Sequence, residues 1–450
     1  MNEPVSIRVV HGYSAAREAL RRKGGLETLE LSEGARRGIE RVFGAPLTAE
    51  QVVDRIVDDV RARGDEALLH YTREIDRVEL DSIEVPRSAW KTAFDSIDPA
   101  LRTALVLAAD QIRSFHEKQK RTSWIDFGPE GALGQIVRPL ERIGVYAPGG
   151  SAVYPSSLLM TAVPGRVAGV EEIVVASPPA ADGVSPLILA AAHVANVDRV
   201  IQVGGAQAIA AMAFGTESVP RVDKLFGPGN IFVVLAKRRV FGQVAIDQLP
   251  GPTETVVVAD SSADPRLTTA DMLAQAEHDG MASAILITTS ERLAHMVQVE
   301  LGLQLAQLER ESIARESLAA NGVIAIVATT EEAIDLANLY APEHLCLLLQ
   351  NPWDAVPLVK HAGGIFVGEG SPEALGDYTA GPSHVMPTGG TARFFSPIHV
   401  GDFTKVISLA AANDRALNRL GPATIALAKA EGLGGHARAI EFRLEQIAPD

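Results

Sequence analysis

From Leu133 to Thr253, short β-rich runs alternate with helical segments of small residues, and this alternation limits the possible folds more than any other feature of the chain. IGVYAPGG reads as a strand entering a glycine turn, SSLLMTAVPGRVAG as a helix and EEIVVASPP as a strand; PLILAAAHVANV, RVIQVGG and AQAIAAMAFG continue the pattern. Such alternation predicts βαβ units and a parallel sheet. After Gly251 it resumes with ETVVVAD, the helix PRLTTADMLAQAEHD, the strand SAILITT, one long amphipathic helix from Glu291 to about Leu318, then GVIAIVA, EEAIDLANLY and GGIFVG. Two sheets of this kind predict an α/β protein with two lobes and a ligand cleft between them or at the carboxyl ends of strands. Up to about residue 125 the chain reads as charged, architectural helix, as in LTAEQVVDRIVDDVRARGDEALLHYTREID. The stretch from Ser371 is loop-rich, and the end of the chain returns to helix.

With 41 Lys and Arg against 56 Asp and Glu, the 450 residues carry a net charge of −15, and 47% of them are hydrophobic. A packed globular chain is expected, and phosphate backbones or anionic lipid are poor partners for it, so neither nucleic acid nor membrane is predicted as a partner. The uncharged run Ile143 to Gly165 is long enough to cross a bilayer, but Pro148, Pro155, Pro164 and four glycines break it, so it reads as strand, turn and buried helix. The N-terminal MNEPVSIRVVHGYSAAREALRRKGG lacks the apolar core of a secretion signal, which predicts a cytoplasmic protein. Cys346 is alone, so a disulfide, a CxxC redox pair and a thiolate zinc cluster are excluded, and any metal must use imidazole, carboxylate or amide ligands.

Several residue groups could carry chemistry. Glycine turns at APGG (147–150), VGG (203–205) and GPGN (227–230) follow or flank expected strands, where backbone N–H groups can meet a phosphate; none matches GxGxxG, and doubly wound sheets need glycines at these corners as plain tight turns in any case. Gln275 and His278, three apart near a helix end, share a face that could hold one edge of a metal or could be a solvated helix end. Adjacent Glu343 and His344 in APEHL supply a carboxylate and an imidazole, a base for water and a base for a hydroxyl, or a helix start carrying a favourable Glu. Asp377 and His384 lie in SPEALGDYTAGPSHVMPTGGTARF, the composition of a ligand-placing or a surface loop. By itself His436 in EGLGGHARAI reads as a surface histidine.

Taken in order and spacing, RIGVYAPGGSAVYPSSLLM, VGGAQAIAAMAFGTESVPRVDKLFGPGNIFV, LAQAEHD, YAPEHL and GDYTAGPSHVMPTGGTARF resemble histidinol dehydrogenase, and the likeness extends from DVRARGDEALLHYT to EGLGGHARAIEFRL. The resemblance implies a zinc- and NAD-dependent enzyme that oxidises L-histidinol through L-histidinal to L-histidine, the last step of histidine biosynthesis. It places metal ligands at Gln275, His278, Asp377 and His436, the last contributed by a partner subunit, so that a homodimer shares its active sites. It makes His344 the base that takes the alcohol proton and Glu343 the group that activates water for the second oxidation. Substrate contacts fall on the metal ligands, His344, His384, Glu431 and Thr253, where the family commonly has Ser; NAD contacts fall on Tyr146, Gln207 and Asn230. The implied architecture is two incomplete Rossmann-like lobes: an arm over 1–32, a first lobe over 33–132 and 245–393, an NAD-binding lobe over 133–244, and an exchanged dimerisation segment over 394–450. Two other readings compete. One is a related dehydrogenase acting on another small alcohol, such as a sulfonated propanediol; the other is a two-lobed solute-binding protein without chemistry, against which the Glu343 and His344 pair speaks.

Overall fold

The computed structural model describes residues 5–22, 31–149 and 153–447. Gly150, the last residue of the first glycine turn, and residues 1–4 and 23–30 of the expected arm lie outside the described residues. Two parallel sheets form the frame, as the alternation predicts. In the six-stranded sheet the order is Arg8–His11, Val323–Ile326, Ser283–Thr288, Glu254–Ala259, His344–Leu348 and Gly364–Val367. The five-stranded sheet runs Arg199–Ile201, Glu172–Ala176, Arg142–Tyr146, Lys224–Phe226 and Ala245–Ile246. Setting aside Arg8–His11, each sheet places its strands in the order third, second, first, fourth, fifth along the chain. The two sheets therefore share one winding although no repeat is visible in the sequence.

Burial accounts for the composition of the strands. All six residues of Glu254–Ala259 are buried because helices cover both faces of a central parallel strand, hence the uninterrupted ETVVVA. Helix Gly205–Phe214 is built almost wholly of buried small residues and packs into the core of the five-stranded sheet. Gly227, at φ 106°, opens the third glycine turn; a Cβ there would lie 2.2 Å from the Tyr146 carbonyl oxygen, so only glycine lets the two chains approach.

Packing regroups the first part of the chain. Helices Ala49–Arg63 and Asp65–Tyr71 bury Val53, Ile56, Val57 and Leu68 in one core with Ile209, Met212 and Leu225, and helices Arg87–Ser96 and Pro99–Glu117 bury Trp90 and Ile112 with Ile143, Leu158 and Ile188. Residues 33–117 thus cover the five-stranded sheet, whereas the expected division put 33–132 with the other lobe; their apolar faces are complementary to the small-residue helices of that sheet. The described part of the expected arm is also not separate: Arg8–His11 extends the six-stranded sheet, and helix Tyr13–Ala19 buries Ala16 against it.

Three further segments depart from the sequence reading. The long helix expected from Glu291 is two helices, Glu291–Leu305 and Glu311–Asn321; the break lets Leu301, Leu305, Ala314 and Leu318 enter the same core, which a straight rod would pass. Thr404–Ala412, read as part of a helical end, is a strand in an antiparallel three-stranded ribbon with Gly131–Pro139 and Trp124–Gly128, and helices Asp414–Ala430 and Gly434–Glu445 follow it. Asp377 lies on a short helix, Glu373–Tyr378, and not on a loop. Among the described residues no helix is long and apolar enough to cross a membrane.

The third glycine turn is fixed from below by a buried ion pair. Lys237, fully buried, donates to Asp247 at 2.6 Å and to the Gly227 carbonyl, while the Gly227 N–H donates to Asp247 at 2.8 Å. Removing one charge strands the other in the core, which typically costs about 3–5 kcal/mol, whereas replacing both by apolar groups is far less costly. Lys237→Met is therefore expected to lower the midpoint of chemical unfolding sharply, and Lys237→Met with Asp247→Leu to recover much of the loss. A single variant as stable as the parent would show that the pair does not hold the turn.

Candidate active site

The site grows from the polar start of a buried strand. Glu254 opens ETVVVA with its side chain only 7% exposed, so the charge needs a partner inside the protein. Arg22 supplies it with a two-pronged ion pair and stacks its guanidinium 3.9 Å above the Tyr340 ring. The same guanidinium donates to the Tyr340 carbonyl at 2.8 and 3.0 Å and to that of Ala341 at 3.4 Å. Those carbonyls end helix Thr330–Tyr340; Ala341, at φ 53°, turns the chain through the left-handed region, and Pro342 leads into Glu343 and His344. One arginine thus ties the start of the strand at Glu254 to the turn that carries both the acid and the imidazole.

Glu254 then positions the pair through its main chain. Its N–H donates to Glu343 Oε2 at 3.1 Å, and its carbonyl lies 3.2 Å from His344 Nδ1. The Thr253 hydroxyl sits between two acceptors, Glu343 Oε2 at 2.5 Å and Gln275 Oε1 at 2.8 Å, while Gln275 Nε2 lies 3.1 Å from His344 Nδ1. On its other side His344 Nε2 is 3.3 Å from Asp377 Oδ1, and its ring stacks on Phe366. Burial pushes the Glu343 carboxyl up to about 7, against the pull of His344. For His344 burial favours the neutral ring, but the carboxylates of Glu343 and Asp377 outweigh it and raise the imidazole to about 10. Asp377 stays below the usual carboxylate range, since the His344 contact overcomes its own burial.

The short helix bearing Asp377 is anchored one turn earlier by Glu373. This fully buried side chain accepts from the Thr255 hydroxyl at 2.8 Å, faces the buried Cys346 thiol at 3.7 Å, and is pushed up to about 8 by burial.

A proline docks the remaining histidine. Pro164 lies inside helix Pro155–Ala168, has no N–H, and so leaves the Met160 carbonyl without its helical partner. The Ser383 hydroxyl fills that gap at 3.1 Å. Next to it, His384 Nδ1 lies 2.6 Å from the Asp377 carbonyl and Nε2 lies 3.0 Å from the Ser157 hydroxyl. The site therefore spans the two lobes. That is the first of the two placements expected from sequence; on the six-stranded side the site occupies the amino ends of strands and not the carboxyl ends of the other placement, because the buried polar residues that build it begin Glu254–Ala259 and His344–Leu348.

Thr253, Gln275, Glu343, His344, Asp377 and His384 come together in this way. His278 follows helix Pro265–Ala276 by two residues and is acted on by the Asp377 charge, with its carbonyl held by Arg310. Glu431 and His436 do not join them: both are exposed on the tail helices, and neither side chain has a hydrogen bond or ion pair among the described residues. Among the described residues no cluster of three or more His, Cys, Asp or Glu suited to a metal forms within one chain.

Tyr146, Gln207 and Asn230 instead line a separate cavity of about 500 Å³ at the carboxyl edge of the five-stranded sheet. The Tyr146 hydroxyl accepts from the Gly205 N–H at 3.0 Å, and Asn230 Oδ1 caps helix Ile231–Val240 by accepting from Phe232 and Val233. Gln207 is buried with both amide atoms unpartnered. The sequence reading passed over Arg22, Glu254, Ser157, Ser383 and Glu373; the one available signal was an acidic residue opening the apolar run ETVVVA.

A buried acid–imidazole pair where two parallel sheets meet, with a cavity at the carboxyl edge of one of them, defines a two-lobed α/β enzyme. The chain belongs to the histidinol dehydrogenase family, a family of oxidoreductases: the model of that family matches residues 45–444. Histidinol dehydrogenase of Deinococcus radiodurans is 55% identical over 410 residues, covering 90% of this chain and 93% of that protein. That of Geobacter metallireducens is 50% identical over 400 residues, 88% of this chain and 92% of the relative. The crystal structure of histidinol dehydrogenase from Elizabethkingia anophelis superposes with a TM-score of 0.90 at 32% identity, covering 99% of each chain.

Arg22→Ala should lower dehydrogenase turnover roughly 10–100-fold, the penalty of a displaced acid–imidazole pair, with little change in KM and a folded protein by circular dichroism. Arg22→Lys should not restore it, because an ammonium cannot bridge Glu254 and the Tyr340 carbonyl in one plane. Added guanidinium should rescue Arg22→Ala in part. Unchanged turnover in Arg22→Ala would remove the guanidinium from this role.

Proposed function

We propose that the chain oxidises L-histidinol through L-histidinal to L-histidine, using two NAD and one zinc ion that does not change redox state. The observation that carries this reading is the contact of the buried Glu343 and His344 pair with Gln275 and Asp377, which sets an acid–base couple beside nitrogen and oxygen donors of the kind zinc accepts. Gln275, His278 and Asp377 fit as three donors of a shell. The partner subunit's His436 supplies the fourth, which accords with its exposed place on the tail.

The bound cation would anchor the imidazole and amino nitrogens of histidinol and offset the Asp377 charge, one of the carboxylates that favour the protonated His344 ring. His344 then takes the alcohol proton as the carbinol carbon loses its hydride. Glu343, held by Thr253 and the Glu254 N–H, takes a proton from water as the water oxygen adds to the aldehyde. The resulting hydrate loses a second hydride and a proton to give the carboxylate. His384, and Glu431 of the partner subunit, hold the substrate's imidazole and amine end. NAD, which accepts both hydrides, would bind at Tyr146, Gln207 and Asn230; the unpartnered Gln207 amide supports that assignment, while Asn230 has only its amide nitrogen free of the helix cap.

In this reading the two lobes are incomplete Rossmann-like units, with 33–117 on the NAD-binding lobe, and the working form is a cytoplasmic homodimer in which the segment 394–450 is exchanged. A single chain leaves Phe127 79%, Leu133 65% and Leu427 66% exposed, the kind of apolar surface a dimer covers.

Purified protein given L-histidinol and NAD should form two NADH per histidine and lose activity on chelation, with recovery on zinc return. Turnover only with a different alcohol would transfer the chain to the related dehydrogenase. Glu343→Gln should retain the oxidation of histidinol to the aldehyde level but slow histidine formation by about 10²–10⁴-fold, the contribution of a positioned acid–base group. Equal loss of both steps would deny Glu343 a role confined to hydration. His436→Ala and His278→Ala proteins, each inactive, should regain part of their activity when reassembled as heterodimers; failure in proven heterodimers would exclude a shared site.

A further inference from the structure

The cavity beside Tyr146 contains a carboxylate that the proposed reaction does not use. Asp76 ends the π-helical turn Thr72–Asp76, and the next residue, Arg77, adopts φ 59° in the left-handed region. A π-turn followed by a non-glycine left-handed residue is uncommon backbone, and such geometry concentrates at functional sites. It directs Asp76 into the cavity that Tyr146, Gln207 and Asn230 line. There the Asp76 Oδ2 atom is buried without a hydrogen-bond partner, and its charge acts on the Tyr146 hydroxyl. Burial alone pushes the carboxyl up to about 6, with no cation offsetting it. Gln207, 1% exposed, also has both amide atoms unpartnered against the same cavity, held close over Gly205, where a Cβ would lie 2.7 Å from Gln207 Oε1. Buried polar atoms without partners are costly, so two such side chains against one cavity mark groups that a ligand satisfies. Arg41 lines the cavity as well, with its guanidinium donating to the Glu74 carbonyl at 3.1 Å.

We propose that Asp76 makes this cavity selective for a dinucleotide with free ribose hydroxyls over its 2′-phosphorylated counterpart. The inference rests on the assignment of this cavity to NAD. A ribose hydroxyl donates to the unpartnered Asp76 oxygen, a charge-assisted bond that is stronger than a neutral one. A 2′-phosphate offers no proton in its place and puts a doubly charged group against a carboxylate in a partly desolvated wall, where like charges repel far more than in water. Dehydrogenases that use NAD commonly set an acidic residue against the ribose for the same reason. Here the carboxylate comes from the helical segment packed on the sheet and not from a strand of the sheet itself. Without Asp76 the cation left in the wall is Arg41, which favours phosphate.

Isothermal titration of the zinc-loaded protein with NAD and with NADP tests this, without substrate and without turnover. The parent protein is expected to bind NAD at least about 30-fold more tightly than NADP, the scale of one charge-assisted contact exchanged for a repulsion. Asp76→Asn and Asp76→Ser should shrink that ratio about tenfold or more, mainly by tightening NADP, and adding Arg41→Ala to Asp76→Ser should take back part of the NADP gain. Gln207→Ala should weaken both dinucleotides alike and leave the ratio intact. If Gln207→Ala weakens both but the Asp76 variants keep the parental ratio, the role of Asp76 is overturned and the cavity remains the NAD site. If Gln207→Ala and both Asp76 variants, folded by circular dichroism, bind NAD as the parent does, the NAD assignment of the cavity fails as well. A parent protein that binds the two dinucleotides equally also overturns the proposal.

Discussion

The Arg22 to Glu254 ion pair is the interaction on which the site depends. A carboxylate at the start of a strand buried on both faces is unfavourable unless a cation reaches it, and Arg22 reaches it from the first described segment of the chain. Because the guanidinium also takes the carbonyls of Tyr340 and Ala341, neutralising the buried charge fixes the left-handed turn that presents Glu343 and His344. The strand's main chain then receives both side chains. Electrostatic necessity and the geometry of the acid–imidazole pair are met by the same few bonds, and this is why residues 5–22 belong to the working structure.

Around that centre the two sheets serve different ends. The five-stranded sheet presents its carboxyl edge, with glycine turns and a cavity, as open α/β sheets generally do. The six-stranded sheet presents its amino edge, where polar groups that cannot be left alone in the interior have been gathered. Histidine 384, bonded toward Asp377 on one side and Ser157 on the other, joins the two.

Much of the fold was legible because periodicity is local. Alternating runs marked the strands and helices of both sheets, and the quoted motifs contain five of the six residues that meet in the centre, Thr253 being placed by the family resemblance alone. What stayed hidden was long-range. Arg22 looks like any surface arginine until Glu254, 232 positions later, is beside it. The strand Thr404–Ala412 has no polar and apolar alternation, since both faces of its ribbon are largely exposed, so its small residues read as helix. The break after Leu305 has neither proline nor glycine and is imposed by the core below it. Residues 33–117 showed their apolar faces but not which sheet would receive them. Ser383 had no recognisable role until the helix interrupted by Pro164 lay beneath it.

That interruption has a consequence for how the two lobes are joined. Pro164 leaves the Met160 carbonyl inside helix Pro155–Ala168 without a main-chain donor, and the Ser383 hydroxyl takes it. A missing N–H, usually counted as damage to a helix, serves here as a socket by which the loop bearing His384 is fastened to the neighbouring lobe.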